Sequence, residues 1–107
     1  MPSYMVQVAY TSEGWAAQMK NPQNRIEAVR PAIEALGGKI VAAYYSFGEY
    51  DLTVITEMPD NTAAAAFAIA AAAGGSVKAF KTTSLMTVDE GLDAVRKASQ
   101  SSYRPPK

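Results

Sequence analysis

The sequence contains neither cysteine nor histidine. Without cysteine the chain has no disulfide, no thiolate nucleophile and no cysteine-ligated metal. Without histidine it lacks the commonest general base and the commonest ligand of transition metals. Glycine-rich phosphate loops and metal-spaced clusters of acidic residues are also missing. We therefore predict no metal and no cofactor, and we leave open whether the protein is an enzyme.

The chain also lacks an excess of either charge, because ten basic and ten acidic residues give a formal net charge of zero. No basic footprint for nucleic acid is present. The N-terminal segment MPSYMVQVAY lacks the basic start and apolar core of a signal peptide, and no apolar run reaches the roughly 20 residues that span a bilayer. We expect no nucleic-acid partner, no membrane partner and a cytoplasmic location.

Apolar and polar residues do alternate with clear periodicity along the chain of 107 residues, of which 49% are hydrophobic. This composition indicates a folded chain of one domain. We place the domain at residues 1–98. Residues 99–107 are polar and contain proline, so we expect them to form a C-terminal tail.

The N-terminal part of the chain predicts a strand and then a helix. Apolar and polar residues alternate over Ser3–Tyr10, which is typical of a strand. We expect residues 11–20 to form a connection with one short helical turn capped by Ser12. Asn21 and Pro22 are typical first positions of a helix, whose apolar residues follow at helical spacing: Ile26, Val29, Ile33 and Leu36.

Two runs rich in β-branched and aromatic residues, IVAAYYSF and YDLTVITE, predict a hairpin. Gly48-Glu49 between them suits a two-residue type II′ turn, because that turn takes glycine at its first central position. We then expect Asp60 to cap an alanine-rich helix, TAAAAFAIAAAA, which ends at Gly74-Gly75.

The C-terminal part predicts a last strand over residues 76–86 and a helix from Val88 to Ser99, which begins with a capping box of Thr87 and Glu90. We expect three apolar residues of this helix to face inward: Val88, Leu92 and Val95. The element order is β-α-β-β-α-β plus a C-terminal helix. This order predicts an α+β, ferredoxin-like split βαβ sandwich, in which a four-stranded antiparallel sheet carries its helices on one face.

Two features predict a second copy of the chain. The alanine-rich helix shows no polar stripe over residues 63–73, although high helix propensity alone is an alternative explanation. The second feature is the face of the sheet opposite the helices. If Tyr45 pairs with Leu52 in the hairpin, Val41 lies on the face that receives the helices. The opposite face then mixes apolar with polar residues: Ile40, Ala42, Tyr44, Ser46, Asp51, Thr53, Ile55 and Glu57. We expect a homo-oligomer, a dimer or higher, in which a partner's sheet covers this face and leaves a cavity.

The segment Gly48-Glu49-Tyr50-Asp51, followed by LTVITEMPDN and the alanine-rich helix, resembles the GYD-domain family, which is named for a Gly-x-Tyr-Asp signature. The segments EGWAAQMKNPQNRIEAVRPAIEALGGKI and VKAFKTTSLMTVDEGL are similar to the same family, so the resemblance covers residues 4 to 95. It implies a ferredoxin-like domain of the dimeric α/β-barrel type and no established reaction. It also marks Gly48 as the turn residue and Tyr50 and Asp51 as signature positions.

Seven residues are candidates for binding a ligand: Gln7, Trp15, Tyr44, Asp51, Thr53, Glu57 and Lys81. Tyr44 and Thr53 are expected to be cross-strand neighbours on the floor of the cavity, where an aromatic ring suits a planar molecule. Aromatic packing is the alternative role of Tyr44. Asp51 is either a carboxylate at the rim of the cavity or an acceptor of backbone N–H groups at the turn.

Two further candidates, Lys81 and Trp15, also have two interpretations. Lys81 either neutralises an anionic ligand or pairs with Glu57, and Gln7 is a lesser candidate on the same face. Trp15 precedes the cationic residues Lys20 and Arg25. It belongs either to a lid beside an anion site or to a small apolar cluster next to a helix.

These patterns favour an oligomeric protein that binds a small molecule. A cofactor-independent oxygenase or isomerase acting on a planar molecule is a second hypothesis. A structural oligomer without a ligand is a third. The absence of cysteine and histidine favours the first hypothesis over the second.

Overall fold

The computed structural model describes residues 1–106, so Lys107, the last residue of the predicted polar tail, lies outside the described residues. The elements follow the predicted order with one additional helix. They are β1 (Ser3–Tyr10), α1 (Ser12–Lys20), α2 (Arg25–Ala35), β2 (Lys39–Tyr45), β3 (Leu52–Glu57), α3 (Asn61–Ala73), β4 (Val77–Leu85) and α4 (Val88–Ser99). The division into a domain at residues 1–98 and a tail stays a prediction.

The strands form one antiparallel sheet in the order β2-β3-β1-β4. β1 and β3 lie at its centre, so the strands of the two halves of the chain interleave, as in the ferredoxin-like fold. β1 pairs with β3 from Ser3, opposite Glu57, to Val8, opposite Leu52. The predicted α+β architecture with a four-stranded antiparallel sheet is confirmed.

The core lies between one face of this sheet and the helices α2 and α3. Alternate residues of β1 and β3 are buried there: Val6, Val8, Leu52 and Val54. Ile33 of α2 and Ala64 of α3 are buried in a second cluster with Tyr4 and Met58. Because strand side chains alternate, the residues between these positions point to the opposite face, which we call the open face.

β2 contains a bulge, and the predicted assignment of Ile40 and Val41 to the two faces of the sheet is wrong for this reason. Tyr45 pairs with Leu52 as expected, but the partner of Thr56 is Ile40 and not Val41. The additional residue reverses the alternation beyond the bulge. Ile40 therefore packs against the core instead of lying on the open face, whereas Val41 is 55% exposed.

The segment after β1 is a complete helix rather than a connection with one helical turn. Thr11, and not Ser12, caps α1, because the Thr11 side-chain oxygen accepts a hydrogen bond from the Gly14 N–H at 2.9 Å. The Thr11 N–H donates to the Ser76 carbonyl at 3.0 Å, which fixes the start of α1 beside the start of β4. Thr11 therefore joins the N-terminal end of α1 to the segment before β4.

The start of α2 also differs from the prediction. Asn24 rather than Asn21 is the cap, and its side-chain oxygen accepts hydrogen bonds from the N–H groups of Ile26 and Glu27 at 3.0 and 3.2 Å. Both asparagines are good caps, but only Asn24 is followed by an acidic residue three positions later, as in a capping box. Residues 21–24 therefore lie outside both helices and are exposed.

The terminal helix α4 begins with the predicted capping box of Thr87 and Glu90. The prediction that its apolar residues face inward is wrong: Val88, Leu92 and Val95 are 87%, 47% and 65% exposed. The protein extends over 57 Å with a radius of gyration of 17.1 Å. A compact chain of this length has a radius of gyration of about 13 Å. The apolar stripe formed by these three residues, which we call the α4 stripe, is thus left uncovered by the chain itself.

Candidate functional site

Four of the candidate residues form one row across the open face. The register places Tyr44 of β2 opposite Thr53 of β3, Thr53 opposite Gln7 of β1, and Gln7 opposite Lys81 of β4. Neighbouring strands lie about 4.8 Å apart, so the row spans about 14 Å. We call it the polar row. The expected cross-strand contact of Tyr44 with Thr53 is confirmed.

The polar row borders a hollow of about 320 Å³ beside the connection between β2 and β3. Gln7, Thr53 and Lys81 line this hollow together with residues 46–50 of the connection. Tyr44 lies next to Thr53 in the row but does not line the hollow. The row therefore presents an amide, a hydroxyl and an ammonium group to one space, with an aromatic ring at its end.

The connection that borders the hollow is longer than the predicted two-residue turn, since β2 ends at Tyr45 and β3 begins at Leu52. Gly48 has the expected positive φ, but its value of 151° differs from the φ of about +60° in a type II′ turn. Ser46 holds the connection instead: its hydroxyl donates to the Tyr50 carbonyl at 2.9 Å and lies 3.4 Å from the Thr53 hydroxyl.

Asp51 fastens this connection to the central strand. Its carboxylate accepts a hydrogen bond from the Tyr10 N–H at 2.9 Å, and its own N–H donates to the Val8 carbonyl at 2.7 Å. These contacts correspond to the second interpretation of Asp51, an acceptor of backbone N–H groups. The other signature residue, Tyr50, contributes its carbonyl to the bond with Ser46.

Glu57 lies at the far end of the sheet from the polar row. It forms an ion pair with Lys39, in which the Nζ–Oε1 distance is 3.3 Å. Four residues of strand separate Glu57 from Thr53, which corresponds to about 13 Å. Lys81, the cation of the polar row, makes no ion pair with any carboxylate among residues 1–106. The structure therefore does not contain the alternative ion pair between Lys81 and Glu57.

Trp15 lies on α1, outside the polar row. Its ring meets the ring of Tyr10 edge to face, with centroids 5.2 Å apart and planes at 71°. Trp15 also borders a separate hollow of about 290 Å³ together with Tyr45, Phe47 and Asp51. This position corresponds to an aromatic cluster beside a helix, the second interpretation of Trp15.

Two residues near the candidate site were missed in the sequence. Phe47 is fully exposed beside the half-exposed rings of Tyr44 and Tyr45, and the run YYSF before a turn was an available signal. Tyr10 lies far in sequence from Lys20 and Arg25, the cations of the predicted anion site, but lines one opening with both of them at the start of α2. No group of three or more acidic residues in the described part of the chain is arranged to hold a metal ion.

Helices long and apolar enough to cross a membrane do not occur within residues 1–106.

The sequence profile of the GYD domain matches residues 4–95. The chain belongs to the GYD-domain family. A curated family relative from Thermus thermophilus is 31% identical over 90 residues, which are 83% of this chain and 94% of the relative. That relative is named a glutamine synthetase and cystathionine beta-lyase binding protein.

Solved structures with low sequence identity share the fold. MtbAldR superposes with a TM-score of 0.57 at 16% identity, over 80% of this chain and 53% of that chain. TTHA0845, also from Thermus thermophilus, superposes with a TM-score of 0.53 at 17% identity, over 82% of this chain and 96% of that chain. The family and the ferredoxin-like fold implied by the resemblance are confirmed.

Proposed function

We propose that this member of the GYD-domain family is a homo-oligomeric binding protein, and that its polar row binds a small planar molecule with an anionic group. The observation that carries the proposal is the juxtaposition of Lys81, which has no acidic partner among residues 1–106, with Gln7 and Thr53 on an open sheet face.

The chemistry of the polar row defines the ligand. The ammonium group of Lys81 attracts a carboxylate or phosphate. The Gln7 amide and the Thr53 hydroxyl both donate and accept hydrogen bonds, so they suit a ligand with further polar groups. The ring of Tyr44, 67% exposed, offers a flat surface for an aromatic or conjugated ring.

A second copy of the chain would close the open face. This face carries apolar residues between its polar ones, including the partly exposed Met5 and Ile55. Covering about 500 Å² of apolar surface is worth about 12 kcal/mol, which is comparable with the roughly 4–15 kcal/mol that association costs. The uncovered α4 stripe adds apolar surface to the same interface or to a neighbouring one. A closed face would exclude water from the hollow and strengthen the attraction between Lys81 and an anion.

The α4 stripe also favours a second candidate function, the binding of a metabolic enzyme. The Thermus relative is named for binding glutamine synthetase and cystathionine beta-lyase. An amphipathic helix with an uncovered apolar side is a common docking element. In this second function α4 would bind the partner enzyme, and the polar row would bind a metabolite that regulates this interaction.

Titration of the purified protein with benzoate, phenyl phosphate and benzyl alcohol tests the first function. We expect the two anions to raise the melting temperature, and the neutral alcohol to raise it much less, because only the anions pair with Lys81. Lys81→Ala should remove this preference. Lys78→Ala, which removes the same charge from β4 outside the hollow, should retain it.

Native mass spectrometry of freshly purified protein measures the subunit number and any retained small molecule together. Anion binding that is equally strong in Lys81→Ala and the unchanged protein would contradict the assignment of the polar row. Titration with glutamine synthetase and cystathionine beta-lyase from the organism of origin tests the second function.

A further inference from the structure

A separate cleft lies between α2 and α3, on the opposite side of the sheet from the polar row. It encloses about 240 Å³, and its walls are almost entirely apolar. Val8 and Val54 form its floor, Val29 of α2 forms one wall, and Phe67 of α3 and Phe80 of β4 form the other. The two phenylalanine rings pack edge to face with centroids 6.0 Å apart, which keeps that wall in place.

The cleft exists because α3 presents alanine to α2 at this end. Ala70, Ala71 and Gly74 line the cleft where larger residues would fill it. Ile33 of α2, which is 1% exposed, also lines the cleft. The cleft is therefore a local feature of one end of the helix pair.

The mouth of the cleft is polar and cationic. A hollow of about 490 Å³ adjoins it, lined by Gln18 and Lys20 of α1 and by Asn21 and Gln23 of the segment between α1 and α2. Tyr10, Arg25 and Ser76 line both spaces, which thus adjoin at these three residues. None of the residues lining this mouth is acidic. An apolar chamber therefore opens into a polar vestibule with two cations.

Arg25 occupies the junction between the two spaces. It is the first residue of α2, where the helix dipole also favours an anion. Arg25 is half-buried and forms no ion pair within residues 1–106, in contrast to Arg30 five residues later, which pairs with Glu27 at 3.0 Å. Burial raises the pKa of the Tyr10 phenol, and the adjacent Arg25 guanidinium opposes part of that rise, so the phenol stays a neutral donor.

We propose that this cleft binds a medium-chain monocarboxylate, with the carboxylate on Arg25 and the apolar tail between α2 and α3. A guanidinium group binds a carboxylate with two parallel hydrogen bonds. An apolar cavity of about 150 Å³ holds one benzene molecule, so 240 Å³ corresponds to a tail of about nine or ten carbon atoms. The Tyr10 hydroxyl and Lys20 lie at the same mouth and add a donor and a second positive charge.

Binding of sodium octanoate to the complete chain, measured by titration calorimetry, tests this site. Each methylene group contributes about fourfold in affinity, so hexanoate should bind about 16-fold more weakly than octanoate. Arg25→Gln should weaken octanoate binding by about 10- to 100-fold and leave octanol binding unchanged, because only the acid pairs with the guanidinium. Arg30→Gln, which removes the same charge from α2 at a position that lines neither space, should have no effect.

Ala71→Leu is a second variant, which fills the cleft, and Ala72→Leu is its exposed control on the same helix. We expect only Ala71→Leu to abolish octanoate binding. Nuclear Overhauser contacts between the octanoate methylene protons and the Phe67 ring provide a readout that does not depend on a variant. Absence of these contacts at saturation, or equal binding in Ala71→Leu and Ala72→Leu, would overturn the proposal. Octanoate binding that Lys81→Ala removes and Arg25→Gln does not would place the acid on the polar row instead.

Discussion

Replacing Leu92 and Val95 by glutamine tests whether the α4 stripe is covered in the assembled protein. Glutamine keeps a high helix propensity and removes the apolar surface. The two side chains are 47% and 65% exposed, so together they leave about one apolar side chain uncovered. Burying such a side chain is worth about 1.5–3 kcal/mol, and a symmetric dimer contains the stripe twice. We expect the double variant to weaken the proposed homo-oligomer, if it is a dimer, by about 3–6 kcal/mol, or about two to four powers of ten in Kd.

Analytical ultracentrifugation over a dilution series measures this difference. The unchanged protein should remain associated at concentrations where the double variant sediments as a single chain. The matched control is Asp93→Ser with Lys97→Ser, which removes an ion pair of 3.3 Å from the opposite side of α4 and leaves the net charge unchanged. Such a pair contributes only about 0.2–0.5 kcal/mol to a helix, so the control should associate normally.

Two results would refute the reasoning. One is an unchanged protein that sediments as a well-folded single chain at every concentration. The other is a double variant that associates as tightly as the unchanged protein. A variant that keeps its assembly and loses binding to glutamine synthetase would instead assign the α4 stripe to the second candidate function.

Two further predictions concern single hydrogen-bonding groups. Asp51→Ala should lower the free energy of unfolding by about 1–3 kcal/mol in urea titration, because the Tyr10 N–H loses its acceptor. A loss no larger than that of the exposed control Glu49→Ala would contradict this role. In α4, hydrogen bonds from Thr87 lower the pKa of the Glu90 carboxyl. Ionised Glu90 therefore stabilises the helix start above its unfolded pKa of about 4.3, and this contribution is lost as the pH falls through the lower folded pKa. The Thr87 amide chemical shift should follow this titration, and Glu90→Gln should abolish it.

Much of the fold could be predicted because its signals are local. The alternation of Ser3–Tyr10 and the caps at Asp60 and Thr87 each depend on a few neighbouring residues, and the structure contains all three. The ferredoxin-like architecture followed from the element order, because short connections leave few topologies for it. The row of Tyr44, Thr53, Gln7 and Lys81 is a consequence of that order and of the alternation, although its register required the structure.

The errors occur where local signals compete or are incomplete. Asn21 and Asn24 are equally favourable cap residues by type, and only Asn24 is followed three positions later by an acidic residue, Glu27. The bulge at Val41 leaves no trace in a run of β-branched and aromatic residues. The spacing of Val88, Leu92 and Val95 correctly indicates one apolar side of α4, but periodicity carries no information about which surface covers it. The cleft at Arg25 depends on the distance between two helices, which the sequence does not encode locally.

The alanine-rich helix α3 has a further consequence that follows from side-chain size. Its lack of charge predicted that a partner covers it. On its outer side Ile69 is 69% exposed, so cover by a partner stays a prediction there. On the inner side, however, Ala64 and Phe67 reach the core while Ala70 and Ala71 leave a cleft beside Phe67. A helix of leucine at these positions would have filled the space and bound α2 directly. Small residues thus preserve a chamber next to a cationic mouth. If α3 served only to assemble subunits, Ala71→Leu would improve packing in the chain and raise its melting temperature without removing any ligand.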